Sequence, residues 1–450
     1  MRMIITSATV IDGTGAAPVA DSAIVIEDHC IVEVISRPAA TYDRSDVVVD
    51  AAGAIVIPGI INHHAHGLTR GPLMITGEPP LTDDRVAYNL RRQLAGGTTT
   101  ALNVDGFPSV EDAVAVNKLQ PLTVKVSSLH TSRHLSWAEN GPFPMGGIAK
   151  QHRSTVEEMV AAGAVAVGEA GPGIDGHWAD HTLIPLAIRE ELGRTLDAVE
   201  ARRLRLATDN HDRDALDAAF RELLGVDHSF LGRWRVIYDK VQEWGRLASE
   251  ALDEAIETAA RLKLPMVFHH TPTTFPRLLD TADRLGDRLI AAHSNFQCTT
   301  VDDTLARARA LKNKGAYIDV MGGDSFGVRM FHPLPTHAFA LIEAGLVDAI
   351  STDYCGGYWD SLLRVAVEAW RAGHAPLERV IKMLTSTPAA MVPGLAPRRG
   401  AIAAGMVADL VVTAPDDPAT VRYIIVSGHL IAAPDASGPP FGPIPATRCC

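Results

Sequence analysis

The chain is short of positive charge, of cysteine and of long apolar runs. Its 41 lysines and arginines stand against 53 acidic residues, a formal charge of −12. A field of that sign repels phosphate, so nucleic acid and anionic membrane surfaces are poor partners. No stretch approaches the roughly eighteen consecutive apolar residues that a membrane helix needs. The five cysteines (Cys30, Cys298, Cys355, Cys449 and Cys450) are scattered and odd in number, which argues against both a disulfide framework and a Cys-x-x-Cys zinc site. They read as reduced thiols, and the expected location is the cytoplasm. The opening MRMIITSATVIDGTG alternates strand and turn and lacks the charged segment, apolar stretch and cleavage site of a secretory signal.

What is present is ordinary for a soluble enzyme: 47% hydrophobic and 21% charged residues, in a chain long enough to bury a large core without staples. Residues 1–57 alternate short apolar runs with turns and predict one half of a small β unit, which Pro58-Gly59 closes. The pattern then becomes strand followed by amphipathic helix. Strands are predicted at 55–61, 98–104, 122–129, 164–167, 266–269, 289–293, 316–320 and 349–352. Ser154-x-x-Glu157 reads as a helix-start capping box. Eight such repeats with mostly apolar strands predict an α/β fold, a (β/α)8 TIM-like barrel over 58–392. An open doubly wound sheet is the alternative, weakened by the lack of a Gly-x-Gly-x-x-Gly after an early strand. Residues 171–247 interrupt the rhythm with helical stretches at 183–205 and 212–224 and predict an insertion over the barrel mouth, a lid or an oligomer contact. Residues 393–432 return to β and are expected to complete the small domain as a β-sandwich built from both termini. The Pro/Gly-rich stretch 433–450 reads as a poorly packed tail.

The chemistry sits at strand ends. In PGIINHHAH, residues two apart face one side of a strand, so His64 and His66 present two imidazoles to one point. Glu169 ends the fourth strand, His269 the fifth, His293 the sixth and Asp353 the eighth. All would open into one mouth. Four imidazoles and two carboxylates suit a borderline divalent metal, Zn²⁺, Mn²⁺ or Fe²⁺.

These residues, with the closing segment LTSTPAAMVPGLAPRRGAIAAGMVADLVV, resemble the amidohydrolase superfamily over nearly the whole chain. The resemblance implies a metal-bearing barrel flanked by a β-sandwich. By similarity, His64, His66 and Asp353 would hold one metal and His269 and His293 a second, with Glu169 as the bridge where many members use a carboxylated lysine. Asn62 departs from the aspartate often found before the His-x-His. His63, His270 and, as an alternative bridge, Lys125 compete for assignments. Two dications would lower the pKa of a shared water, and Asp353 would act as general acid–base or as ligand only.

The implied activity is cleavage of an amide or cyclic amide C–N bond in a small polar substrate. Deamination of a nitrogen heterocycle and lactone or ester hydrolysis are alternatives, and a metal-free scaffold is the rival from another class. Pro272, three residues after His269, stands where mononuclear purine deaminases carry a glutamate, and Glu169 looks more like the enamidase and adenine deaminase branches. Further expectations are a homo-oligomer, and substrate contacts from His130, Arg133, Arg70 or Trp178. His134, His177, Asp180 and His181 are weaker candidates for the pocket. Asn103 and Asp105 would stand behind the ligands, and Cys355 has no histidine partner to make it a nucleophile.

Overall fold

The computed structural model describes residues 2–36, 47–75, 79–142, 148, 152–174, 176–295, 299–322, 336–353 and 361–432. The first five strands are β1 (Arg2–Val10), β2 (Val19–Glu27), β3 (Cys30–Ser36), β4 (Val47–Asp50) and β5 (Ile55–Pro58). The next eight are β6 (Ile60–Ala65), β7 (Thr98–Asn103), β8 (Thr123–Ser128), β9 (Ala166–Ala170), β10 (Met266–His269), β11 (Leu289–Ala292), β12 (Tyr317–Met321) and β13 (Ala349–Ser351). The last three are β14 (Leu410–Thr413), β15 (Val421–Val426) and β16 (His429–Ala432).

Strands β6 to β13 form one parallel sheet in sequence order. Its ends meet where the Asp353 N–H donates to the His64 carbonyl at 3.1 Å, so the sheet is a nearly closed barrel. Strands β6, β7 and β9 are buried at every residue, as a parallel sheet covered on both faces requires. The second sheet runs β16-β15-β14-β5-β1-β2-β3, with β4 also pairing β1, and so combines strands from both ends of the chain. Its own core includes Ile5, Ile24, Ile31, Val56, Leu410 and Ile425. The fold is a TIM-like barrel with a small terminal β domain.

The structure differs from the sequence reading in three local respects. Residues 55–61 are two strands, not one: β5 pairs β1 and β14 in the small sheet, and β6 begins the barrel after Gly59. A side chain at Gly59 would lie 2.2 Å from Thr99 Oγ1, so only glycine lets the chain cross there. The capping box lies one residue later. Thr155 Oγ1 accepts the Glu158 N–H at 3.1 Å and Glu158 Oε2 accepts the Thr155 N–H at 2.8 Å, a register that buries Val156 and Met159. Finally, one helix runs unbroken from Leu231 to Leu262, across the expected end of the insertion at 247, and the stretch 183–205 is two helices parted at Gly193.

That long helix buries Trp234, Ile237, Val241, Trp244, Ala248, Ala251 and Leu252, a stripe of period three to four. It packs the insertion into the same apolar cluster as the barrel helices: Phe220, Phe230 and Trp234 belong to one core with Leu278, Leu341 and Val380. Trp234 is fully buried, and its Nε1 donates to Thr208 Oγ1 at 2.9 Å. Trp234→Ala is expected to destabilise the protein by about 3–5 kcal/mol, read from the shift in a denaturant or thermal unfolding curve. No shift would mean that the insertion unfolds independently of the barrel.

Candidate metal centre

A local irregularity builds the first group. Between Asn62 and Ala65, β6 carries one more residue than its partner β7, a bulge that turns both His63 and His64 toward buried carboxylates. His63 is therefore not the outward neighbour that strict alternation predicts. His64 Nε2 lies 3.3 Å from His66 Nε2 and 3.3 Å from Asp353 Oδ1. His66 Nε2 is 3.5 Å from both Asp353 Oδ1 and Glu169 Oε2, and His64 Nε2 is 3.7 Å from Glu169 Oε2. The other Glu169 oxygen, Oε1, is 2.9 Å from His269 Nδ1 and 2.8 Å from His293 Nε2. One carboxylate thus faces two imidazole groups, one with each oxygen.

These four-residue and three-residue groups each have the donor set of a metal site. Ligand atoms 2.0–2.2 Å from a tetrahedral ion stand about 3.3–3.6 Å apart, which the first group matches closely. In the second, Glu169 sits at hydrogen-bond distance from its histidines. Charge tells the same story. Burial disfavours a proton on His64, but Asp353 and Glu169 outweigh it and raise its pKa to about 9. His66 is likewise held well above the imidazole range despite burial, mainly by Asp105, Asp353 and Glu169, and Glu169 well below the carboxylate range by His64, His269 and His293. Buried carboxylates and imidazoles packed this densely suit a bound cation.

Supporting contacts surround the group. Asp105 Oδ1 lies 3.2 Å from His66 Nδ1 and accepts the Gly67 N–H at 2.9 Å, while Asn103 Nδ2 donates to Asp105 Oδ2 at 2.9 Å. A carboxylate behind a ligating imidazole fixes its tautomer and raises its basicity. Asn62, where the resemblance led one to expect aspartate, donates to Thr352 Oγ1 at 2.7 Å and Gln93 Oε1 at 3.1 Å and so braces the first strand against the last. His293 and Asp353 both adopt left-handed backbone conformations, φ 39° and 42°, which non-glycine residues hold at a cost.

The remaining candidates divide. His270 is bonded to Ser294 Oγ at 2.9 Å and is held neutral by burial, its pKa near 3, so His269 is the strand-five residue beside Glu169. Lys125 is partly exposed, unlike buried Glu169. His130 is buried, 3.0 Å from Ser128 Oγ, with burial and nearby His152 lowering its pKa to about 3. His134 bonds Thr131 Oγ1 at 2.8 Å. Arg70 and Arg133 are committed to surface ion pairs with Asp83 and Glu250. Trp178 is buried against Trp244, and Asp180 takes a bidentate pair from Arg205 at 2.6 and 2.8 Å. Cys355 and the His177 side chain lie outside the described residues. Sequence reasoning missed Asp319 of β12, fully buried 3.1 Å from His63 Nε2. The signal was there: a lone carboxylate in the apolar run AYIDVM.

The model of the amidohydrolase family matches residues 207–431, which hold His269, His293 and Asp353 but not the first three candidate ligands. A dihydroorotase of Thermoanaerobacter sp. is 26% identical over 175 residues, 38% of this chain and 35% of its own length. The chain therefore spans about a third of that relative. Among solved structures, a β-aspartyl dipeptidase of Fervidobacterium islandicum covers 96% of both chains at 17% identity with a TM-score of 0.57. Molinate hydrolase covers 98% of this chain and 96% of its own at 17% identity and 0.54. D-aminoacylase, described with a binuclear metal centre, covers 95% and 96% at 13% identity and 0.57. At such identities the structural likeness speaks for the fold alone. The family match is a different kind of finding, since it rests on sequence and spans half of the 450 residues: the chain belongs to the amidohydrolase family.

Proposed function

We propose that the protein is a metal-dependent hydrolase that cleaves the C–N bond of an amide, open-chain or cyclic, in a small polar molecule. The observation that carries this reading is Glu169, whose Oε2 faces His64 and His66 and whose Oε1 faces His269 and His293. A carboxylate so placed would serve two ion sites at once. His64, His66 and Asp353 would hold one divalent ion and His269 and His293 the other, with Glu169 shared. Zinc is our first choice because nitrogen and carboxylate donors in a tetrahedral arrangement suit it, with Mn²⁺ and Fe²⁺ as alternatives. When bound, such ions lower the pKa of a water and polarise a carbonyl.

The chain's own residues do the rest. Asp353 has Oδ1 turned to the two imidazoles. Its Oδ2 takes a proton from the attacking water and delivers it to the leaving nitrogen as the C–N bond breaks. Asp105 keeps the His66 ring in place through Nδ1. His130, neutral at physiological pH, is our candidate for a contact to the substrate carbonyl, and Trp178 for a wall of its pocket. No described helix is long and apolar enough to cross a membrane. We further propose a cytoplasmic homo-oligomer acting on free small molecules, with no nucleic-acid or membrane partner.

The test is metal analysis by mass spectrometry on protein purified without chelator. A hydrolysis screen of cyclic amides and imides, N-acyl amino acids and dipeptides follows on the same preparation. About two ions per chain and turnover of one of these classes supports the reading. No ion after refilling, or metal-loaded protein inert on every C–N substrate, would remove it.

A further inference from the structure

Among the described buried groups that the ligand assignment leaves out are an imidazole and a carboxylate that touch each other. Asp319 Oδ1 lies 3.1 Å from His63 Nε2. Asp319 Oδ2 accepts the His293 backbone N–H at 2.9 Å and the Ser351 hydroxyl at 2.9 Å, and stands 4.0 Å from His64 Nδ1. Its main-chain carbonyl accepts the Ser294 N–H at 2.7 Å. Both residues are fully buried. A buried carboxylate is costly unless matched by donors, and apolar side chains would usually hold a barrel together at least as well. Stability alone is therefore a poor reason for this pair.

Each of its contacts leads to a candidate ligand. His63 occupies the bulge beside His64. The N–H bonded by Asp319 Oδ2 belongs to His293 itself, at the residue whose backbone is left-handed. Ser351 lies two residues before Asp353, whose N–H closes the barrel on the His64 carbonyl. One carboxylate on β12 thus reaches β6, β13 and the end of β11.

We propose that the His63–Asp319 pair is a positioning element that ties His64 and Asp353 on one side to His293 on the other, so that the two ion sites form together. The pair acts through these ligands and touches no substrate. The proposal rests on the metal reading above. Asp105, which contacts His66 alone among the ligands, is its internal control.

The experiment compares wild type with Asp319→Asn, His63→Leu, His63→Gln and Asp105→Asn. Zn²⁺ stoichiometry and affinity are measured by equilibrium dialysis, visible absorption after Co²⁺ loading reports ligand geometry, and circular dichroism checks the metal-free fold. Asp319→Asn and His63→Leu are each expected to weaken both ions by about 10–100-fold and to alter the Co²⁺ spectrum. His63→Gln, which keeps a donor near the position of Nε2, should recover most of the affinity, and Asp105→Asn should weaken one ion only. Two ions bound at wild-type affinity in Asp319→Asn overturn the proposal, as does the loss of one ion with the other untouched. If Asp319→Asn fails to fold, His63→Leu decides by the same criteria. A wild-type chain that binds no ion sinks the metal reading itself, an outcome distinct from wild type and variants all binding two.

Discussion

Asp353→Asn is expected to lower kcat by about 10²–10⁴-fold while KM and metal content stay near wild type. The substitution is nearly isosteric, and the amide oxygen can still face His64 and His66, where Asp353 Oδ1 now lies 3.3 and 3.5 Å away. What it removes is the second carboxylate oxygen's ability to take a proton and give it back. If Asp353 only held the metal, the variant would lose ions and activity in proportion, and refilling with excess Zn²⁺ would restore both. Steady-state kinetics on the substrate found in the screen, with metal analysis on the same preparation, separates the two roles. Unchanged kcat with unchanged metal would leave Asp353 without a part in the chemistry. The backbone places the carboxylate for either role: φ of 42° at Asp353 and its N–H bond to the His64 carbonyl hold it at the barrel seam, beside both imidazoles of the first group.

The cluster of candidate ligands was legible because barrel strands are apolar along their length and polar only where they open into the mouth. Glu169, His269, His293 and Asp353 each end or follow such a run, so their meeting required only the fold. What stayed hidden depends on departures from regular geometry or on partners far along the chain. Alternation places His63 and His64 on opposite faces, and only the bulge against β7 brings both inward. Asp319 lies within its strand, where a sequence pattern expects packing. Arg70 and Arg133 follow strand ends as a substrate clamp might, but Asp83 and Glu250 claim them at the surface. The break at Gly59 was obscured because the residues on either side are equally apolar. It becomes visible only when Thr99 of the neighbouring strand is seen to leave no room for a side chain.

Glu169→Ala is expected to reduce bound metal from about two ions per chain to one or none, and to lower activity by more than about 100-fold, since it removes a donor and not a support behind one. Four histidines lie within 3.7 Å of its two oxygens, and Asp353 lies within 3.5 Å of two of those imidazoles, so no single neighbour can take its place. Stripping the wild type with a chelator should abolish turnover, and Zn²⁺ should restore it. The pH dependence of refilling has a defined sign. In the metal-free protein His64 keeps its proton up to about 9, because Asp353 and Glu169 outweigh the cost of charging it in a buried place. An ion must displace that proton, so occupancy at limiting Zn²⁺ should rise with pH through the neutral range and level off near that value. Lower occupancy at about pH 8 than at about pH 6 would contradict the assignment of His64 as a ligand. Two ions retained in Glu169→Ala would show that the bridge lies elsewhere. Lys125→Ala is then the next variant to make, because a lysine carboxylated on the neighbouring strand would supply the same two oxygens.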